Sequence, residues 1–228
     1  MGPPGVSTET RPAFYALARG GWRDYVTLLH PPYTLWHLSY VAVGAGLASP
    51  FSWTRCGAAL LAFALALGVG AHALDELRGR PLRTQIPERT LWALAVVSIA
   101  AATAVGVYAC IAWTWLLAPF VVFGAFVVVA YNLELFRGAF HSTLWFALAW
   151  GALPALSAYV VEAGTIRVEA VAAALYAALL STAQRILSTP VREARRQEGT
   201  VRPELEAALL ALTAASIAVG AALLFLHL

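Results

Sequence analysis

The chain has 228 residues, of which 61% are hydrophobic and only 12% are charged. Soluble domains carry about 25% charged residues, so this composition excludes an ordinary soluble protein and indicates an integral membrane protein. The formal net charge is +3, and all fifteen basic residues are arginine. A basic rim at the membrane surface accounts for this charge, so no nucleic-acid partner is expected.

Seven apolar stretches predict membrane-spanning helices, because each is long enough to cross a hydrocarbon core of about 30 Å. The predicted spans are 33–49, 57–74, 90–112, 115–133, 143–161, 168–187 and 205–227. The sequence therefore predicts an all-α, polytopic membrane bundle. We expect a cytoplasmic interfacial segment over 1–32, followed by a single transmembrane domain over 33–228.

The arginines are distributed unevenly between the two sides of this predicted bundle. Thirteen fall on one side, and only Arg55 and Arg167 fall on the other. The positive-inside rule then places the N-terminus in the cytoplasm and Leu228 outside. The membrane is expected to be a bacterial or archaeal cytoplasmic membrane. Membrane lipids are expected partners, and a homo-oligomer is left open. Whether Cys56 and Cys110 pair or remain buried thiols is also left open.

The end of the second predicted span concentrates ionisable side chains. His72, Asp75 and Glu76 come at the boundary of an apolar helix, where such residues are costly and mark function. Ala64 and Gly68 precede His72 and Glu76 at four-residue spacing. This spacing predicts one stripe that lets a neighbouring helix approach and carries the polar groups into the bundle interior.

The polar run that follows Asp75 carries a family resemblance. Residues 79–89 read Gly-Arg-Pro-Leu-Arg-Thr-Gln-Ile-Pro-Glu-Arg. With Asp75, they are similar to the first aspartate motif and the Arg-Pro-Leu turn of UbiA-type membrane prenyltransferases. Residues 29–35 and 131–137 also resemble that family, and the resemblance covers about residues 25–160.

The resemblance implies a cavity that opens to the cytoplasm and to lipid. There, Mg²⁺ would bind a prenyl diphosphate whose prenyl group passes to a lipophilic acceptor. The implied catalytic residues are Asp75, Glu76, Arg80 and Arg83, with the two arginines contacting diphosphate. The implied substrate-binding residues are Tyr131, Asn132 and Arg137. The implied metal ligands are Asp75, Glu76 and His72.

Two alternatives stay open because the family's second aspartate motif has no counterpart in residues 184–199. The arginines between Arg185 and Arg202 are interpreted as topogenic or as binding anionic lipid. One alternative is a non-catalytic membrane protein on the same scaffold. The other is a metal-dependent enzyme that oxidises a lipid or isoprenoid, using iron, zinc or manganese. Its ligands would come from His37, His72, Asp75, Glu76, Glu134 and His141.

Overall fold

A computed structural model describes residues 11–197 and 200–228, and these residues are helical, without a β-strand among them. Within these described ranges, seven long helices form the bundle, one short helix precedes them and another lies between the fourth and fifth long helices. In chain order, the helices are α1 (Trp22–Leu28), α2 (Pro31–Gly46), α3 (Trp53–Leu77), α4 (Glu88–Ala112), α5 (Trp115–Asn132), α6 (Leu135–Gly138), α7 (Thr143–Ala163), α8 (Val168–Arg196) and α9 (Pro203–Phe225).

Six helices, namely α3, α4, α5, α7, α8 and α9, are long and apolar enough to cross a membrane. The predicted span 90–112 corresponds to α4, and the predicted span 115–133 corresponds to α5. The predicted span 168–187 ends too early, because the same helix continues through the arginines to Arg196. The prediction of a helical bundle with several membrane-spanning helices is confirmed to this extent: the described residues form six helices of suitable length and composition.

The first predicted span, 33–49, differs most from the structure. The helix α2 has 16 residues, which at about 1.5 Å per residue cover only about 24 Å. Ten of its residues are buried, and it packs mainly against α7 and α9. A seventh crossing, and the placement of the two termini on opposite sides of a membrane, therefore stay predictions.

Glycines allow α2 to pack closely against its neighbours. A Cβ on Gly44 would lie 1.9 Å from the carbonyl oxygen of Ala155 in α7. A Cβ on Gly220 of α9 would lie 2.9 Å from the carbonyl oxygen of Ser39. Small residues permit such backbone contacts in membrane bundles, where no hydrophobic effect drives helices together. The helix α2 is thereby fixed as the centre of the bundle.

Two of the described helices, α3 and α7, each contain a stretch of π-helix. The stretches are Ala64–Ala71 in α3 and Ala147–Ala152 in α7. A π-turn bonds each residue to the fifth one along, so a four-residue stripe does not hold one face through it. The predicted stripe is accordingly split: Gly68 packs on Thr34, whereas the side chain of Glu76 is fully buried elsewhere.

The described chain ends lie at opposite ends of the bundle. Arg195, near the end of α8, donates to the backbone carbonyl of Arg11 at 2.9 Å. His227 hydrogen-bonds from Nε2 to the carbonyl of Gly46, at the far end of α2, also at 2.9 Å. Two cysteines are buried as free thiols, Cys56 and Cys110.

Candidate functional site

A polar cavity of about 460 Å³ opens at the arginine-rich end of the bundle. Its walls come from residues 12–15, α2, the end of α3, the end of α5, the start of α7 and the last turns of α8. A second cavity, of about 100 Å³, is lined by small and apolar side chains of α3, α4, α5 and α7, none of them ionisable. The polar cavity is therefore the candidate site.

The floor of the polar cavity is aromatic. Tyr131, Phe146 and Trp150 all line it, with ring centroids of Tyr131 and Trp150 4.4 Å apart. The guanidinium of Arg185 lies 5.8 Å from the ring of Tyr131 and 5.5 Å from the ring of Phe146, and it donates to the Tyr131 hydroxyl. Aromatic faces stabilise a cation at this range, whether a guanidinium or a carbocation.

Two stacked histidines form one side of the cavity. The rings of His30 and His72 are 4.1 Å apart between centroids and nearly parallel. The hydroxyl of Tyr15 is hydrogen-bonded to His30 Nδ1 at 2.5 Å, and the buried Nε2 of His30 has no hydrogen-bond partner among the residues that the structure describes. Burial, and then the neighbouring His72, hold the pKa of His30 well below its usual value of 6.5. His30 is therefore neutral at physiological pH.

Two cavity histidines have a defined tautomer when they are neutral. His72 Nδ1 is bonded to the carbonyl oxygen of Gly68 at 3.1 Å, and His37 Nδ1 to that of Trp150 at 2.9 Å. A carbonyl oxygen can only accept, so Nδ1 carries the hydrogen in both rings. The Nε2 atom of each neutral ring is then a proton acceptor.

The loop after α3, which we name the loop wall (residues 78–87), is built on Glu76. The Glu76 side chain is fully buried. Its two oxygens accept from the backbone nitrogens of Leu82, at 3.0 Å, and Thr84, at 2.8 Å, and from the Thr84 hydroxyl, at 2.8 Å. Glu76 therefore fixes the loop and does not line the cavity. The catalytic and metal-binding roles expected for it do not fit this position.

Arg80 also serves the loop wall rather than the cavity. Its guanidinium donates to the backbone carbonyls of Thr84, at 3.3 Å, and Ile86, at 2.6 Å. Asp24 of α1 supports the same loop from outside, accepting from Gln85 N at 2.7 Å. Arg80 does not line the cavity and its Nη1 is bonded within the loop, so this conformation does not place it for the expected diphosphate contact.

Asp75 and Arg83 do line the cavity. Arg83 has a left-handed backbone, with φ of 55°, an uncommon conformation for a residue other than glycine that is associated with functional sites. Asn132 lines the cavity as expected, beside Tyr131. Arg137 does not: it is exposed on the left-handed turn after α5.

The opposite wall of the cavity is the end of α8, which we name the helix wall (residues 184–196). Four of its arginines line the cavity: Arg185, Arg192, Arg195 and Arg196. Arg195 is ion-paired with Glu206 of α9. Arg192 donates to the Thr189 hydroxyl at 3.4 Å and lines the same cavity as Asp75. Sequence reasoning assigned these arginines to topology or lipid binding rather than to a substrate site.

The six residues of the predicted transition-metal site are not assembled. Among the residues that the structure describes, no three His, Cys, Asp or Glu side chains form a group that could hold a metal ion. Glu76 is bound to the loop wall, and Glu134 is ion-paired with Arg78 at 2.8 Å. His141, which lines the cavity, is bonded to the Tyr131 carbonyl at 3.2 Å. These residues therefore do not fit a metal held by protein ligands alone, whether iron or Mg²⁺.

No family model, curated protein or solved structure matches the chain. The resemblance to UbiA-type enzymes therefore depends on the sequence motifs quoted above.

The helix wall could have been found from one signal in the sequence. Arg185 and Arg192 are seven residues apart, which places them on one face of a helix, at the position where the resemblance puts a second substrate-binding motif.

Proposed function

We propose that the chain is a membrane-embedded prenyltransferase that binds a prenyl diphosphate in the polar cavity and passes its prenyl group to a lipophilic acceptor. One observation carries this proposal: arginines of the loop wall and of the helix wall face the same cavity above an aromatic floor. The cationic mouth suits a multiply charged anion, and the aromatic floor suits an apolar chain. The motif resemblance around Asp75 supports the same class of reaction.

The chemistry follows from these side chains. The bond between C1 of the prenyl group and the diphosphate oxygen breaks, and its electron pair leaves with the diphosphate. Arg83, Arg185 and Arg192 would take the growing negative charge. The rings of Tyr131 and Trp150 would face the allylic cation. The acceptor then forms a bond to C1 and loses a proton.

A neutral imidazole is the natural acceptor for that proton. His72 presents Nε2, because its Nδ1 hydrogen is directed at the Gly68 carbonyl. Asp75, which also lines the cavity, would stabilise positive charge that develops nearby. No step is assigned to Mg²⁺, since Glu76 is bound to the loop wall and, of the two carboxylates expected to ligate it, only Asp75 lines the cavity as the structure describes it. If the arginine-rich end faces the cytoplasm, as the positive-inside rule predicts, the cavity opens on that side.

The test is ligand stabilisation followed by turnover. Geranyl, farnesyl and geranylgeranyl diphosphate are added to the purified protein in detergent, and thermal unfolding is recorded. A ligand at a hundred times its Kd stabilises by about 2.7 kcal/mol, which raises Tm by about 5 °C or more. Arg185→Ala should lose this shift. The exposed Arg137→Ala, which removes an arginine outside the cavity, should keep it.

Turnover is measured as pyrophosphate release with phenolic and quinol acceptors, and Asp75→Asn should abolish it. Absence of a thermal shift with all three diphosphates would overturn the proposal. Binding without turnover by any acceptor would instead favour the non-catalytic alternative, in which the cavity only holds a phosphorylated isoprenoid.

A further inference from the structure

The charges around the polar cavity do not balance. Three carboxylates line it: Asp75, Glu134 and Glu206. Glu134 is ion-paired with Arg78, and Glu206 with Arg195. Asp75 is therefore the one cavity carboxylate, within the described part of the chain, that no arginine neutralises by direct contact.

The cavity arginines outnumber these carboxylates. Beyond the two paired arginines, the lining includes Arg83, Arg185, Arg192 and Arg196. Over residues 11–197 and 200–228, none of these four forms an ion pair with a carboxylate. Arg185 is held in place by the Tyr131 hydroxyl and two aromatic faces. Four guanidiniums that share one cavity without a carboxylate partner among the described residues are complementary to a multiply charged anion.

The donor set favours arginine over a metal as the partner of that anion. Magnesium takes oxygen ligands, and a protein usually supplies one or two carboxylates in addition to the substrate phosphates. Here Asp75 is the single candidate, because its neighbour Glu76 has both oxygens occupied by the loop wall. A guanidinium offers five donors in a planar fork that matches phosphate oxygens and needs no bridging ion.

We propose that the phosphate groups of the ligand are bound directly by Arg83, Arg185 and Arg192, and that binding does not require a divalent cation. This inference rests on the proposed function, whose site it specifies. The shared chemistry is a terminal phosphate or diphosphate ester on an apolar chain. Arg83 would approach it from the loop wall, and Arg185 and Arg192 from the helix wall.

The experiment measures farnesyl diphosphate binding to the full chain in detergent by calorimetry, once with EDTA and once with excess Mg²⁺. We expect Kd values within about threefold of each other in the two buffers. Arg192→Ala should weaken binding about tenfold or more in EDTA, since a charge-assisted hydrogen bond contributes about 1.5–3 kcal/mol. Arg192→Lys, which keeps the charge but not the fork, should recover part of the loss. Arg137→Ala is the matched control, and unliganded Tm values verify folding.

The outcomes separate the inference from the proposed function. Binding in Mg²⁺ that disappears in EDTA would overturn the inference and leave prenyl transfer standing. Absence of binding in both buffers would overturn both. Two further ligands distinguish the source of the phosphate, namely inorganic pyrophosphate and phosphatidic acid in mixed micelles. If phosphatidic acid, a lipid with a terminal phosphate, displaces farnesyl diphosphate at equal concentration in EDTA, direct arginine recognition is supported and the ligand is a lipid headgroup.

Discussion

The two walls of the polar cavity both look arginine-rich in sequence, yet they present their charges differently. In the loop wall, Arg78 is ion-paired and Arg80 is bonded to backbone carbonyls, which leaves Arg83 for the cavity. In the helix wall, Arg185 and Arg192 both face the cavity without an ion pair among the described residues. The number of arginines in a segment therefore does not give the charge available to a ligand.

The difference comes from how each wall is supported. A loop has no periodic hydrogen bonding, so its backbone donors and acceptors must find other partners. Glu76 and Arg80 provide these partners, and their side chains are therefore bonded to the loop rather than directed at the cavity. A helix satisfies its own backbone, so the side chains of α8 are not needed to support backbone groups. Three predictions test this contrast between a supporting wall and a binding wall.

The largest expected effect is on stability, at Glu76. In Glu76→Gln, an amide group replaces one oxygen that now accepts backbone hydrogen bonds, so a buried N–H loses its partner. Each lost hydrogen bond to a charged group is worth about 1.5–3 kcal/mol, so Tm should fall by about 3–12 °C. The control is Glu134→Gln at the exposed ion pair with Arg78, where about 1 kcal/mol or less is at stake. Equal Tm changes in the two variants, measured without ligand, would contradict a supporting role for Glu76.

The next effect distinguishes two arginines of one loop. Arg80→Ala should lower the unliganded Tm by about 3–6 °C, because two backbone carbonyls lose a charged donor. Arg83→Ala should leave that Tm within about 1 °C and weaken farnesyl diphosphate binding about tenfold. Thermal unfolding and calorimetry on both variants supply the comparison. The reverse pattern, with Arg80 needed for affinity and Arg83 for stability, would show that the loop is rearranged when ligand binds.

The smallest effect is a pH dependence at His30. Its pKa in the folded protein is depressed, so below pH 6.5 the unfolded chain binds this proton more readily. Stability should therefore be full above pH 6.5 and fall on acidification, by up to about 1.4 kcal/mol per pH unit. His30→Asn tolerates the left-handed backbone at this position and should show a shallower fall in Tm between pH 7.5 and 5.5. The groups that interact with His30, namely His72, Tyr15 and Arg192, are the same residues in both proteins. Identical slopes would mean that His30 does not titrate in this range.

Most of the helices could be predicted from the sequence alone. The run of apolar residues that ends at Ala112 specifies α4 almost to the residue, and the same holds for α5. Hydrophobicity is a local property, and a membrane demands a minimum length of it, so the pattern and the structure agree. The clustering of arginines at one end of the bundle could also be predicted from the sequence. The depth of α2 was not, because its burial depends on glycine contacts with helices more than a hundred residues away.

The position of the candidate site could be predicted from the sequence, but the roles of its individual residues could not. The sequence alone singled out His72, Asp75 and Glu76 because ionisable residues are rare in this chain. Only tertiary structure separated Asp75, which lines the cavity, from Glu76, which holds the loop wall. Adjacent residues on a helix point about 100° apart, so their partners lie on different elements. Arg192 is a similar case. It shares the cavity with Asp75 because α8 packs across the bundle from α3. The spacing of residues within one helix does not predict such a contact between helices.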